Sequence, residues 1–264
     1  MIEAPRKYGI LNQMGVTTFI RRELAREWRF FRYTVFGPAL QAALFAAVFL
    51  LAAGDKMITF DEIGFLEFLI PGMMMSAAMQ KAFESGAFSL MDDKLSGQIG
   101  DFLSAPFNAF EWLLSYTVST FVVSALTALT VWGALCLFGT VVIPQNPLLL
   151  LGFFAAASIA FTAFGILSAI ISDKWDSLSA KEVFILAPLV LLSGSFFPLN
   201  ALPGEWQIAL LFNPIFYMID GFRYAMTGYQ DNPPELGMLV AWFTAIIMWV
   251  AAFICLKRGY RIKS

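Results

Sequence analysis

The chain has 264 residues, of which 59% are hydrophobic and only 14% are charged. Soluble globular domains carry about 25% charged residues, so this chain lacks the charge needed to cover a water-exposed surface. It contains no histidine, which excludes Ser-His-Asp and Cys-His catalytic sites and zinc sites with His ligands. It also lacks a GxxxxGKS/T loop and a strand-flanked GxGxxG sequence. The composition therefore predicts an integral membrane protein with no catalytic, metal or cofactor site of its own and no nucleic-acid partner.

The first predicted element is an amphipathic helix over residues 16–31. Apolar side chains recur there at helical spacing, and charged side chains occupy the remaining faces. Such a basic amphipathic helix lies in the membrane interface, with its apolar face in the lipid and its arginines near lipid phosphates. The residues expected to do this are Arg21, Arg22, Arg26, Trp28 and Arg29. The pattern leaves open whether this helix is a simple anchor or also contacts a cytoplasmic partner.

Several apolar segments are long enough to cross a bilayer core of about 30 Å, which takes about 20 helical residues. A segment at 63–82 contains the Pro71-Gly72 step, which is tolerated where neighbouring helices satisfy the freed carbonyl group. The other five contain no Asp, Glu, Lys or Arg and lie at 33–53, 112–139, 147–172, 183–204 and 236–256. The sequence therefore predicts an all-α integral membrane protein with six transmembrane helices.

The basic residues predict the orientation of these spans. All but two of the 17 lysines and arginines fall on one side of the predicted membrane, and the exceptions are Lys56 and Arg223. The positive-inside rule then places both termini in the cytoplasm, which requires an even number of spans. No internal repeat or linker divides the sequence, so residues 1–264 are expected to form one membrane domain.

Two polar segments between the spans are too short to cross a membrane. Residues 92–106 lie on the cytoplasmic side and carry apolar residues at helical spacing, which fits either a short amphipathic helix or a solvated connector. On the outer side, residues 205–227 are interrupted at Asn213-Pro214, where a helix is expected to break and a new one to begin. Asp220 and Arg223 are one turn apart there and able to pair. These pieces fit either two short helices dipping into the outer leaflet or an interfacial cap.

Three local sequences point to a known family. They are Phe68-Leu69-Ile70-Pro71-Gly72-Met73-Met74-Met75, residues 98–106, and the series Phe197-Pro198-Leu199, Leu202-Pro203, Asn213-Pro214, Tyr217 and Asp220-Gly221-Phe222-Arg223-Tyr224. With these sequences and an amphipathic start, the chain resembles the membrane subunit (permease) of ABC-2 type ABC transporters, in the bacterial half-transporter form without a fused ATPase. The resemblance covers nearly the whole length.

The resemblance implies a permease of the bacterial inner membrane that pairs with a second permease copy, as a homodimer, and docks two copies of an ABC ATP-binding subunit. ATP and Mg would be bound by that partner, and the cargo would be an exported amphiphile such as a drug, a lipid or a lipid-linked glycan or polysaccharide. By analogy, residues 92–106 are the segment that couples to the ATPase, and the residues implied there are Asp92, Asp93, Lys94, Gln98, Asp101 and Pro106. Residues 203–227 match re-entrant helices that gate the outer end, and the implied gate residues are Pro198, Pro203, Asn213, Pro214, Tyr217, Asp220, Arg223 and Tyr224.

Cargo contacts and one rival function are less defined by the sequence. Glu67 is the ionisable residue expected within the membrane, where a charge is costly and commonly functional, although it also lies near enough to the interface to snorkel. Met73 and Met74 offer soft surfaces for an apolar cargo but equally fit ordinary packing between spans. The alternative function is an ion-coupled secondary carrier, a class that usually buries carboxylates or histidines near the bilayer midplane.

Overall fold

A computed structural model of the chain describes residues 11–53, 59–60, 63–100 and 107–261. Within these ranges the fold is helical apart from two short antiparallel strands, β1 (Thr59–Phe60) and β2 (Ile63–Gly64). The helices are α1 (Gln13–Arg29), α2 (Phe31–Ala53), α3 (Phe65–Leu95), α4 (Ala109–Cys136), α5 (Pro147–Ile171), α6 (Trp175–Lys181), α7 (Ala187–Leu191), α8 (Gly204–Leu211), α9 (Pro214–Thr227) and α10 (Pro234–Arg258). The predicted all-α class is confirmed.

Four of these helices, α2, α4, α5 and α10, are long and apolar enough to cross a membrane. They correspond to the predicted spans 33–53, 112–139, 147–172 and 236–256, with ends that differ by a few residues. Two of them begin with proline in the first turn, Pro147 after the N-cap Asn146 and Pro234 in α10. Proline suits this position because its missing N–H has no helical partner there.

The predicted span 63–82 is the first part of a single helix, α3, that continues for 31 residues to Leu95. Pro71 lies inside α3 without ending it. The second half of α3 is charged, with Lys81, Glu84 and Asp93 among its residues. These charges lower the hydropathy of α3 below that of the four apolar helices, so the count of six spans remains a prediction.

The predicted span 183–204 differs from the structure. The helix that contains the first part of this segment begins before it, with α6. It continues through a π-helical turn at Glu182–Leu186 and ends with α7 at Leu191. The chain then turns at Gly194, whose φ of 70° lies in the left-handed region that favours glycine. The segment is therefore not one uninterrupted helix, because apolar residues alone do not show where tertiary contacts stop a helix. That it crosses the membrane remains a prediction.

α3 lies at the centre of the bundle and packs against α4, α5 and α9. Its contact with α5 is the most extensive in the described chain, and the two backbones approach closely at Gly165. A Cβ placed on Gly165 would collide with the carbonyl oxygen of Phe83 in α3. Hydroxyl pairs join α4 to α5 nearby, with Thr120 and Thr162 in hydrogen-bond contact at 2.6 Å. Small residues and hydroxyl contacts of this kind are how helices pack tightly within lipid.

Candidate functional site

The helix break predicted at Asn213-Pro214 is present and is organised by the side chain of Asn213. Its Oδ1 accepts the N–H of Ile215 at 3.0 Å and caps α9, whose first residue is Pro214. Its Nδ2 donates to the carbonyl oxygens of Leu189 at 2.8 Å and Leu192 at 3.0 Å. Asn213 thus satisfies the free backbone groups of two helix ends at once, the start of α9 and the end of α7.

Arg223 of α9 is completely buried and holds three parts of the chain together. Its Nη2 donates to the carbonyl oxygen of Gly194 at 2.7 Å, and its Nε donates to that of Phe68 at 3.3 Å. Its guanidinium also lies 3.7 Å from the centre of the Phe68 ring, a cation–π contact. The side chain therefore fixes α9 against both α3 and the turn that follows α7.

Asp220, which the sequence predicts as a partner of Arg223, is buried beside it but hydrogen-bonds to the segment that follows α9. The nearest atoms of the two side chains, Nη1 and Oδ1, are 3.9 Å apart. The Asp220 carboxylate accepts the N–H groups of Asp231 and Asn232, both at 2.9 Å. Nη1 of Arg223 makes no hydrogen bond within the part of the chain that the structure describes. A buried cation that is only loosely compensated is costly, and such groups commonly mark functional positions in membrane proteins.

The turn after α7 is also held by α3 directly. Ser195 and Ser76 share a hydrogen bond of 2.7 Å, and Ser193 and Ser195 share one of 2.9 Å. A Cβ on Gly72 would collide with the carbonyl oxygen of Ser195. We call this group the arginine cluster, and its members are Phe68, Gly72, Ser76, Gly194, Ser195 and Arg223. The three α3 residues recur every fourth position, a spacing that places them on one face of the helix.

The remaining predicted gate residues are not members of this cluster. Pro198 is buried in the segment before α8, and Pro203 is exposed at the N-cap of α8. Tyr217 donates its hydroxyl to the carbonyl oxygen of Leu211 at 3.0 Å, which ties α9 to the end of α8. Tyr224 is half-buried on α9.

At the other end of α3, four polar side chains at every fourth position meet α1. Glu27 of α1 contacts Lys81 at 2.9 Å and accepts the hydroxyl of Ser85 at 2.7 Å. Glu23, one turn earlier in α1, accepts the hydroxyl of Ser89 at 2.6 Å. As residue numbers rise along α1 they fall along α3, so the two helices are paired in antiparallel order.

The last step of this pairing involves Asp93. Nη2 of Arg22 lies 2.7 Å from one oxygen of Asp93, and Tyr116 of α4 donates its hydroxyl to the same oxygen at 2.9 Å. Burial raises the pKa of the Asp93 carboxyl, and the nearby guanidinium of Arg22 opposes that rise. We call these residues the α1–α3 polar network, and its members are Arg22, Glu23, Glu27, Lys81, Ser85, Ser89, Asp93 and Tyr116.

The network includes charged side chains of the predicted interfacial helix α1. Arg22 and Arg26 both contact the buried carboxylate of Glu23, at 2.7 Å and 2.6 Å, and so turn toward the protein. Arg21, Trp28 and Arg29 are exposed, and their contact with lipid remains a prediction. The prediction places the apolar face of α1 in the lipid and its arginines near lipid phosphates, and it does not include the contacts of Glu23 and Glu27 with α3.

The residues implied to couple to an ATPase separate into three groups. Asp92 and Gln98 are exposed, whereas Asp101 and Pro106 lie outside the described residues. Asp93 is buried in the polar network, and Lys94 is buried against the end of α5. Because buried side chains cannot form part of a docking surface, direct partner contact by these two does not fit this conformation.

Lys94 instead caps a helix. Its Nζ donates to the carbonyl oxygens of Ser172 at 2.7 Å and Ile170 at 3.3 Å, which end α5. A cation in this position complements the helix dipole. Burial lowers the pKa of the Lys94 ammonium, and the carboxylate of Asp173 opposes that fall. Lys94 therefore ties the end of α3 to the end of α5.

Comparison with known sequences decides the family. A sequence model described as ABC-2 type transporter matches residues 14–227, a range that contains both the arginine cluster and the α1–α3 polar network. The chain belongs to the ABC-2 type transporter family.

Relatives agree with this assignment. The chain is similar to the inner membrane transport permease YadH of Escherichia coli (strain K12), with 27% identity over 248 residues, 92% of this chain and 94% of YadH. It is also similar to the ycf38 protein of Cyanophora paradoxa, with 30% identity over 193 residues, 71% of this chain and 64% of ycf38. Nodulation protein J of Rhizobium leguminosarum bv. trifolii matches a shorter part, with 29% identity over 75 residues, 28% of this chain and 29% of that protein. The chain is thus a membrane transport permease and by family not a catalytic enzyme.

In this ABC-2 permease, the three residues suggested for a cargo path have structural roles. Glu67 accepts the N–H of Gly64 at 3.1 Å and so fixes the start of α3. Met73 and Met74 are buried in the core, with exposed fractions of 8% and 6%. A cargo contact by these side chains remains a prediction.

Proposed function

We propose that this permease is the membrane subunit of an ATP-driven exporter and that α3 transmits movement from an ATPase to the opposite end of the bundle. α3 is unbroken from Phe65 to Leu95 and carries one polar cluster at each end. Phe68 of the arginine cluster and Asp93 of the polar network are about 37 Å apart along the helix axis. A rigid helix that is fixed at both ends moves both when one is displaced, and this observation carries the proposal.

The end of α3 near Leu95 is the proposed docking side for a separate ATP-binding subunit, present in two copies. ABC-2 permeases generally work with such subunits. The exposed Asp92 and Gln98 belong to the proposed contact surface, together with residues 101–106. ATP binding can bias the permease only if the partner holds the two permease conformations with different affinity.

The arginine cluster is the proposed outer gate. The turn that follows α7 is irregular backbone within an apolar bundle, and such backbone is tolerated when protein groups satisfy it. Here Arg223 donates to the carbonyl oxygen of Gly194 and Asn213 to that of Leu192, while Ser76 shares a hydrogen bond with the Ser195 hydroxyl. Displacement of α3 would separate Ser76 from this turn and Phe68 from Arg223. We propose that this separation opens the outer end of the cargo path.

The oligomeric state, the membrane and the cargo are proposed by analogy with the family. The permease acts as a homodimer in a bacterial inner membrane, with both termini in the cytoplasm, α1 in the interface and α8 and α9 dipping into the outer leaflet. The cargo is an amphiphile, either a drug, a lipid or a lipid-linked glycan or polysaccharide. The ion-coupled secondary carrier is not favoured, because the chain belongs to the ABC-2 family.

The experiment that tests this function is gentle purification from native membranes, followed by mass spectrometry and an ATPase assay. An ATP-binding subunit recovered in a 1:1 ratio to the permease, with hydrolysis inhibited by vanadate, is the expected result. Recovery of the permease alone, with no hydrolysis in several detergents, contradicts the proposal and makes ion-gradient flux the next assay.

A further inference from the structure

α2 carries an amide in the middle of an apolar span, and no residue in the described part of the chain hydrogen-bonds to its side chain. Gln41 lies at the midpoint of Phe31–Leu51, the apolar stretch of α2, about 15 Å from each end. It is the one Asn or Gln within the four apolar helices. Its side chain is exposed and makes no hydrogen bond to the described residues. By contrast, every serine and threonine of α4 donates its hydroxyl within the chain.

The surface around Gln41 has room for another helix. Gly37, one turn before it, has open space where a side chain would stand. A shallow groove of about 470 Å³ runs along this face of α2, and it is lined by Gly37, Leu40, Gln41, Leu44, Phe45, Val48 and Phe49. The opposite face of α2, with Val35, Ala39, Ala42 and Ala46, is buried within the protomer. A glycine beside a polar residue is the arrangement by which transmembrane helices pack closely and hydrogen-bond to each other.

We propose that this face of α2 packs on α2 of a second copy and that the two Gln41 side chains hydrogen-bond to each other. A residue on a twofold axis meets its own copy, so it must be self-complementary. An amide meets this requirement, because Nε2 of each glutamine donates to Oε1 of the other. Lipid hydrocarbon offers no such partner. The rest of the groove is apolar, so Gln41 has no second polar wall with which to hold the polar part of a cargo.

This contact rests on the proposed homodimer and is tested in native membranes by disulfide cross-linking. The background replaces the two native cysteines, Cys136 and Cys255, with alanine. Gln41→Cys is then compared with Ile246→Cys, which is exposed near the middle of α10. Oxidation with copper phenanthroline is expected to convert Gln41→Cys to a species of twice the monomer mass and to leave Ile246→Cys monomeric. Equal cross-linking of the two variants overturns the proposal.

A second measurement tests the hydrogen bond itself. Self-association of the full chain in lipid vesicles, followed by energy transfer between labelled copies, is expected to weaken about three- to tenfold in Gln41→Leu. Ile246→Leu is the control and is expected to leave self-association unchanged. Unchanged self-association in Gln41→Leu overturns the hydrogen-bonded contact.

The same membranes distinguish failure of this contact from failure of the proposed function. Cross-linking at residue 41 without a co-purified ATP-binding subunit supports the α2 contact and contradicts ATP-driven export. A co-purified ATP-binding subunit without cross-linking at residue 41 supports ATP-driven export and contradicts the α2 contact.

Discussion

The guanidinium of Arg223 lies 3.7 Å from the ring centre of Phe68 and donates to the Phe68 carbonyl oxygen, although the two residues are 155 positions apart in the chain. The same side chain donates to Gly194 in the turn after α7. One buried cation therefore sets the relative positions of α3, α9 and the interrupted helix between them.

Arg223→Lys is expected to impair transport and to lower the melting temperature, while the chain still inserts in the membrane. Lysine keeps the charge but lacks the planar fork that reaches Gly194 and Phe68 together, and it stacks less well on an aromatic ring. Transport into vesicles and thermal melting check this, with the exposed Arg29→Lys as the control. Wild-type values for both properties in Arg223→Lys would show that the arginine cluster has no gating role.

Gly72→Ala is expected to destabilise the protein by about 1–3 kcal/mol, because the added methyl group meets the backbone oxygen of Ser195. Gly133→Ala is the matched control, since Gly133 also lies inside a helix but has open space around it. Alanine is the better helix former, so the control is expected to be neutral or slightly stabilising. Thermal melting in detergent measures both variants. Equal effects would contradict the close approach of α3 to the turn.

The sequence predicts the two helix ends joined by Asn213 unequally, the start of α9 and the end of α7. The break at Asn213-Pro214 carries its own signal, because proline fixes the start of a helix and asparagine caps it. The end of α7 carries no such signal, since the carbonyl groups that end it are satisfied by Asn213, more than twenty residues later. The apolar residues of 183–204 fit a continuous helix as well as an interrupted one. Only the tertiary contacts determine that the helix ends at Leu191.

The polar network leaves a regular spacing in the sequence. Lys81, Ser85, Ser89 and Asp93 recur every fourth residue, and Glu23 and Glu27 have the same spacing. Two sets of polar residues with this spacing indicate two helices that face each other, provided that both segments are helical. The predicted cytoplasmic segment 92–106 nevertheless includes Asp93, because a charge near a predicted loop is usually solvated.

Lys81→Glu is expected to destabilise the packing of α1, because it places a second carboxylate beside Glu27 in a buried position. The double variant Glu27→Lys with Lys81→Glu restores opposite charges and is expected to recover about 1–3 kcal/mol relative to the single variants. Melting temperatures of the four proteins complete a double-mutant cycle. Additive effects in that cycle would mean that the two side chains do not interact.

Asp92 and Asp93 are adjacent in sequence but are expected to respond differently to charge reversal. Asp92→Lys changes an exposed side chain, so it is expected to reduce co-purification of the ATP-binding subunit without changing the melting temperature. Asp93→Lys places a cation against Arg22 in a buried site and is expected to destabilise the protein itself. Co-purification and melting are measured side by side. A stable Asp93→Lys protein, or an unstable Asp92→Lys protein, would contradict the assigned positions.

The measurement that tests the central claim most directly is the reactivity of Ser195→Cys in the assembled transporter, in a background without Cys136 and Cys255. Ser195 is fully buried in the arginine cluster, so the thiol is expected to be shielded without nucleotide. Trapping the ATPase with ATP and vanadate is expected to expose it to a thiol reagent, and Glu23→Gln with Glu27→Gln is expected to abolish that exposure. A thiol whose reactivity is the same with and without trapping, in a complex that hydrolyses ATP, would show that α3 does not link the two ends.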